Sequence, residues 1–369
     1  MSSSSNTVKE PFVRISKRAD VPLATSILVR VAALVLGFIV CSLVIMMITN
    51  GNASFFSVLP EMIRGAFGTA RKFKITLREM SALLCIALAL APAFKMKFWN
   101  IGGEGQTLMG VLASVTVIKM FPEASNGKTL VLMFIASAIA GAVWAVIPAI
   151  FKANFRTNET LFTLMMNYVA IQLMSYFLVL WERQPGTQDV GVFDNGVFPM
   201  LFGVEYGWNI VLVLILAVFM YIYLKYSKHG YELSVVGESE NTARYIGLNV
   251  KKVIIRTMLL SGAICGFAGF LLVGGTHHTM NTSLVDGNGF TAIIVAWLAK
   301  LNPFYMIITT LLVVFLGNGT DQIASSYNLN DYASDVVIGI MLFFVLGCEF
   351  FVNYKVTFRK KHESKEAQA

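Results

Sequence analysis

YSKHGYELSVVGESENTARYIGLNVKK, residues Tyr226 to Lys252, is a polar island between two long apolar runs. Ahead of it, Tyr206–Leu224 carries no charge; behind it, Thr257–Val285 carries none apart from His277 and His278. A connection that only joined two helices could be far shorter. Glu238, Glu240, Arg244 and Tyr245 alternate with Val235, Val236, Ala243, Ile246 and Leu248 in the manner of a short amphipathic helix. Gly237 and Gly247 fall where a tight stop at either end is predicted. A folded, charged knob on the basic side of a membrane protein is a docking surface. The island therefore points to a channel-forming subunit worked by a soluble partner.

Working outward, the chain has 369 residues, 56% hydrophobic and only 14% charged. Its mean hydropathy is +0.68, so the lipid bilayer is its solvent. The runs Val31–Ile48, Thr129–Phe151, Thr160–Trp181, Tyr206–Leu224, Thr257–Val273, Leu301–Gly317 and Val336–Val352 are each close to spanning length. Met80–Phe94, Gly105–Ile118 and Gly287–Ala299 are shorter. The predicted fold is an all-α polytopic membrane protein of about ten membrane segments, including short broken or re-entrant helices.

Lys and Arg set the orientation. With both termini cytoplasmic, the inner segments are 1–26, 95–104, 152–158, 225–256, 300–303 and 354–369, which hold 20 of the 29 basic residues. The outer loops after residue 120 hold two, Lys128 and Arg183. Residues 49–81, with Arg64, Arg71, Lys72, Lys74 and Arg78, fall outside and break the rule. The +8 net charge is thus mostly inner-face bias. No basic stripe interleaved with stacking aromatics calls for nucleic acid.

The expected organisation is a polar cytoplasmic lead (1–26), a permease domain (27–353) with the inner loop 226–252, and a solvated basic tail (354–369). Residues 1–25 are too polar, and the first apolar run too long, for a cleavable signal. Cys41, Cys85, Cys265 and Cys348 sit inside apolar runs at unrelated spacings, which reads as packing rather than a disulfide frame or metal site. Asn126-Gly-Lys-Thr129 ends like a phosphate loop, but Pro122 stands where its first glycine belongs. No nucleophile–base pair or HExxH motif suggests an intramembrane enzyme, and no cofactor is expected.

Three further segments carry polar groups into the apolar regions. In Phe98–Gln106, three glycines in four positions free the backbone from helical geometry, and Asn100, Glu104 and Gln106 can satisfy the freed amides. The segment reads either as a broken helix exposed to a pathway or as a tight inner-face turn with Glu104 capping the next helix. In Arg156–Tyr168, Thr157 or Asn158 starts a helix on which Thr160, Thr163 and Asn167 share a face. That stripe faces protein or water, for interhelical bonding or for substrate. Asp286–Phe304 reads as a flexed outer loop entering a half-span that ends at Asn302-Pro303, a re-entrant or broken element lining a cavity. His277 and His278 just upstream read as an interfacial pair, since neighbours point different ways.

Together, NIGGEGQ (100–106), RTNETLFTLMMNY (156–168), VGESENTARYIGL (236–248) followed by LSGAICGFAGFLLVGG (260–275), and GFTAIIVAWLAKLNP (289–303) resemble the branched-chain amino acid/ribose-type permeases of ABC importers. The nucleoside and simple-sugar branch is the most similar. The likeness runs in order from about Met80 to Ala299. Local departures are Trp99 for Phe, Ser239 for Asn, Glu240 for Pro and Thr242 for Ala. The resemblance implies a high-affinity importer with two permease subunits, often different chains. A cytoplasmic ABC ATPase and an extracytoplasmic substrate-binding lipoprotein would be its partners. Glu238, Ala243, Arg244 and Gly247 are the matching positions of the ATPase-coupling segment, and ATP hydrolysis falls to the partner. Asn100, Glu104, Gln106, Thr163 and Asn167 are the candidate path residues. A nucleoside is the first expectation for cargo, with Phe162, Met165, Met166 and Tyr168 as apolar surface beside Thr163 and Asn167; a ribose- or galactose-type sugar is the second.

A stand-alone secondary transporter would need an acid buried at mid-membrane. Glu104, Glu159, Asp286, Asp321 and Glu349 all map near the ends of spans. A structural scaffold would have no use for costly polar broken helices.

Overall fold

The computed structural model describes residues 13–18, 22–49, 54–201 and 203–358. Most of the expected lead and most of the basic tail lie outside these. Thirteen α-helices appear among the described residues. They are α1 (Leu23–Ile48), α2 (Val58–Phe67), α3 (Ala70–Lys95), α4 (Gly103–Met120), α5 (Asn126–Phe155), α6 (Glu159–Trp181) and α7 (Gly207–Tyr226). There follow α8 (Lys228–Glu238), α9 (Glu240–Tyr245), α10 (Val250–Leu272), α11 (Asn288–Leu298), α12 (Pro303–Ser326) and α13 (Asp331–Asn353). Eight helices are long and apolar enough to span a bilayer. With α4 and the 11-residue α11 they account for the ten expected segments.

The chain divides into two compact units. One draws on residues 1–65 and 316–369. Here α1 packs on α13, and the Arg30 Nε donates to Glu349 Oε1 at 3.0 Å. The departure from helix lies here too: β1 (Val13–Lys17) pairs antiparallel with β2 (Tyr354–Phe358). This ribbon brings the two ends of the described chain to one side.

The other unit, residues 66–315, is built around α3 and α10, which are buried along most of their length. Glycines on α10 let its neighbours touch backbone to backbone. A Cβ on Gly262 would meet the Gly141 carbonyl of α5 at 2.3 Å, and one on Gly266 the Ser137 carbonyl at 2.0 Å. This close small-residue crossing is how helices associate where lipid is as apolar as leucine. By contrast α5, α6 and α7 show apolar side chains such as Val143, Val179 and Ile215 outward, as lipid-facing helices should.

One run is longer than its apolar stretch suggests. Met80–Phe94 is only the buried part of α3, whose first turns carry Arg71, Lys72 and Lys74. These charges reach past the apolar layer, so hydropathy alone shortens the helix. The Arg78 guanidinium lies over the Tyr206 ring, 5.4 Å from its centre, while at the other end Lys95 Nζ donates to Leu224 O at 2.6 Å. The basic end of α3 thus lies with the 182–206 loop, on the face opposite the 226–252 segment.

Candidate functional site

The broken helix around Asn100 forms a knot with α6. After α3, Lys97 takes a left-handed turn (φ 58°), and α4 starts at Gly103. In between, the backbone needs side-chain partners. Asn100 Oδ1 accepts from Gly102 N at 2.9 Å and from Gln106 Nε2 at 3.1 Å. Thr163 Oγ1 lies 3.1 Å from Ile101 N, which donates to it. Asn167 bridges the break, accepting from Gly105 N and donating to Ile101 O, each at 2.9 Å. Asn158 caps α6, accepting from Leu161 N at 3.2 Å. The structure therefore brings Asn100, Gln106, Thr163 and Asn167 together, all buried and all bonded within the protein.

Glu104 extends the knot to α11. It sits in the first turn of α4, yet its carboxylate accepts from Gly287 N at 3.1 Å and Gly289 N at 2.8 Å, at the start of α11. Two helix N-termini, each a partial positive charge, so converge on one carboxylate. Gly287 turns with φ +73°, and a Cβ on Gly289 would lie 2.4 Å from Glu104 N. Convergence of two broken helices is the arrangement by which transporters build their central sites.

This contact corrects the placement of Asp286–Phe290 as an outer loop. The chain leaves α10 at the face of the 182–206 loop, where His278 O accepts from Phe193 N at 2.7 Å. It then dips through buried Met280, Leu284 and Val285 to reach Glu104. Two glycines and a partnering acid on another helix let the backbone enter; periodicity carries no trace of that partner. A second correction concerns α6. Thr163 and Asn167 point inward while Met165 and Tyr168 are exposed, so these residues do not make one mixed surface.

The 226–252 segment folds as two helices rather than one. Ser239 ends α8 and caps α9, its Oγ accepting from Thr242 N at 3.2 Å. Serine caps as well as the asparagine it replaces. Gly247 is the expected stop: φ is +85°, and Leu248 N donates to Ala243 O at 2.9 Å, closing a Schellman turn. Gly237 is not a stop. It lies inside α8, where a Cβ would meet the Lys95 carbonyl at 2.3 Å. Ala243 is buried and seats α9, while Glu238 and Arg244 are exposed. Arg244 pairs with Glu240 at 3.2 Å, and Tyr245 is 92% exposed.

Sequence reasoning missed several participants. Ser261 on α10 lies 3.4 Å from Asn100 Nδ2. Lys95, Lys225 and Lys300 from three separate segments line one cleft of about 300 Å³. His229 is buried in α8 between the Tyr223 hydroxyl on Nδ1 and the Thr257 hydroxyl on Nε2. The Gly262/Gly266 spacing was the one signal in the sequence that could have announced the α5–α10 crossing.

The family model described as branched-chain amino acid transport system, permease component, matches residues 74–346. The guanosine ABC transporter permease protein NupP of Bacillus subtilis is 31% identical over 86% of this chain and 92% of its own length. The glucose ABC transporter permease protein TsgB13 of Haloferax volcanii is 29% identical over 74% and 76%. The nucleoside ABC transporter permease protein NupB of Lactococcus lactis is 24% identical over 86% and 90%. Eight apolar spans and such relatives make this a multi-pass protein of the cell membrane. With its broken helices meeting at Glu104 inside the matched region, the chain belongs to the family of branched-chain amino acid transport system permease components.

Proposed function

We propose that this chain is one permease subunit of an ATP-driven importer and that its cargo is a purine or pyrimidine nucleoside. The observation that carries the reading is the 31% identity to a guanosine permease along 86% of the chain. The likeness to a nucleoside permease supports it further, and that to a glucose permease favours a simple sugar as the second reading. A knot whose polar groups are neutral, apart from one capped carboxylate, suits an uncharged cargo.

In this reading, residues 27–353 are the permease domain and both termini face the cytoplasm. A separate ATPase docks on the 226–252 segment through Glu238 and Arg244, on a knob seated by Ala243 and turned by Gly247. A second permease subunit, often a different chain, and an extracytoplasmic binding lipoprotein complete the importer. Asn100, Glu104, Gln106, Thr163 and Asn167 shape the wall of the path. The supporting geometry is a contiguous run of contacts: α9 to α8, Gly237 onto the Lys95 carbonyl, the end of α3 into the Asn100 knot, and Glu104 onto α11. Movement of the knob therefore has a packed route to both broken helices.

Uptake competition tests the cargo. Excess unlabelled nucleoside should abolish import, and excess ribose or galactose should not; the reverse pattern would assign the sugar. Purification of the chain should bring an ATPase with it, and a chain that transports alone would overturn the importer reading.

A further inference from the structure

A cleft of about 600 Å³ opens between the end of α5, α9 and the start of α10. Its basic groups are Lys152, Arg156, Arg244 and Lys251. Two of them are neutralised locally: Lys152 by Glu159 at 2.6 Å and Arg244 by Glu240 at 3.2 Å. Lys251 donates to the neutral Asn154 Oδ1 at 3.1 Å, and among the described residues no carboxylate pairs with Lys251 or Arg156.

Arg156 also occupies an unusual backbone position. It ends α5 with φ 54°, a left-handed conformation that glycine adopts freely and a side chain resists. Phe151 and Phe155 on the last turns of α5 are in ring contact at 5.7 Å, with Phe155 70% exposed, and give apolar surface next to Lys152 and Arg156 in the chain. The apolar run of α5 ends at Phe151, just before Lys152, so these last turns lie where a spanning helix leaves the hydrocarbon layer. Unneutralised bases thus line a concave site at headgroup depth, next to apolar surface.

We propose that this cleft binds the phosphate of an anionic phospholipid, held by Arg156 and Lys251, with the acyl chains along Phe151 and Phe155. Guanidinium–phosphate pairing and basic clefts between membrane helices suit such a headgroup. The lipid would sit between α5 and the knob, and so hold the position of α9. The proposal goes beyond the transport reading and needs neither cargo nor ATP hydrolysis for its test.

The full chain, purified in mild detergent with its co-purifying subunits, is titrated with phosphatidylglycerol or phosphatidylcholine of matched chains and bound lipid is counted by native mass spectrometry. Wild type should retain one phosphatidylglycerol per copy of this chain that the Arg156→Gly, Lys251→Gln variant binds at least ten-fold more weakly. Glycine suits the backbone at 156, so the variant keeps its fold, and an unchanged melting temperature checks this. Equal phosphatidylglycerol binding by the two proteins, or equal retention of phosphatidylcholine, overturns the proposal. Displacement by millimolar inorganic phosphate would make it a free-anion site instead. If the variant loses its ATPase while its lipid count is unchanged, the cleft receives an acidic protein segment and the lipid assignment fails.

Discussion

The knot around Glu104 and the knob around Arg244 are both polar, glycine-bearing interruptions of an apolar chain, and they use those residues in opposite ways. In the knot, Asn100, Gln106, Thr163 and Asn167 are buried and bonded to the backbone of the break or to one another. In the knob, Glu238, Glu240 and Arg244 are exposed, and the one ion pair is between neighbours on a single helical turn. Their glycines differ in the same sense. Gly289 is required by the atoms around it, whereas Gly247 is required by its backbone angle and has nothing within 4 Å. Burial decides whether a polar residue holds its own chain or is left available for another.

The largest contrast is expected at these glycines. Gly289→Val forces the starts of α4 and α11 apart and should destabilise the protein by about 3 kcal/mol. Gly247→Ala meets no neighbour and should lose about 1–2 kcal/mol through its left-handed backbone. Melting in detergent compares them; equal melting temperatures would break the contrast between a packed and a conformational glycine.

Next comes the knot's own bonding. Glu104→Gln removes the charge on which two helix starts converge and one of its two acceptors, a loss of about 1.5–3 kcal/mol. Asn167→Leu leaves Gly105 N and Ile101 O unpartnered, at about 2 kcal/mol. Uptake by Asn167→Leu should show a lower maximal rate with little change in apparent affinity, because in the proposed importer a binding protein would set specificity. A change confined to affinity would place Asn167 in direct contact with cargo.

The knob should behave in the reverse manner. Arg244→Glu breaks an exposed pair worth about 0.5 kcal/mol, so melting should barely move. Co-purification of the ATPase and stimulation of ATP hydrolysis should fall sharply. Normal ATPase association with unchanged transport would remove the knob's role.

The smallest effect lies in α8, at the foot of the knob, where His229 meets Tyr223 and Thr257. Burial, aided by the Arg256 charge and opposed by Glu232, holds the His229 pKa below its usual value. A group whose pKa is depressed in the fold is fully stabilising above its ordinary pKa, and that stabilisation is lost as pH falls through the folded value. Wild type should therefore melt a little lower below about pH 6, and His229→Gln should flatten that dependence. An identical pH profile for both would show that His229 stays neutral or does not matter.

The segments predicted to be functional were legible because their composition is improbable in lipid. Three glycines with Asn100, Glu104 and Gln106 can be tolerated in an apolar chain only where protein satisfies them. Their partners were not legible. Glu104 meets Gly289 across 185 residues of chain, and Asn167 meets Gly105 across 62. The inward course of Asp286–Phe290 is hidden for the same reason: a backbone that dips inward to reach an acid on another helix has the composition of an ordinary outer loop.

The sequence by itself determined that the chain lives in a bilayer, in about ten segments, with a charged segment on one face, because apolar length and charge distribution act locally. It also determined the left-handed stop at Gly247, which follows from the missing Cβ. Only the tertiary structure decided that Gly237 is a contact rather than a stop, that Ser239 divides the knob into two helices, and that the starts of α4 and α11 share one carboxylate. Those outcomes depend on which distant backbone comes within about 3 Å, and hydrogen bonding at that range is set by packing rather than by neighbours in sequence.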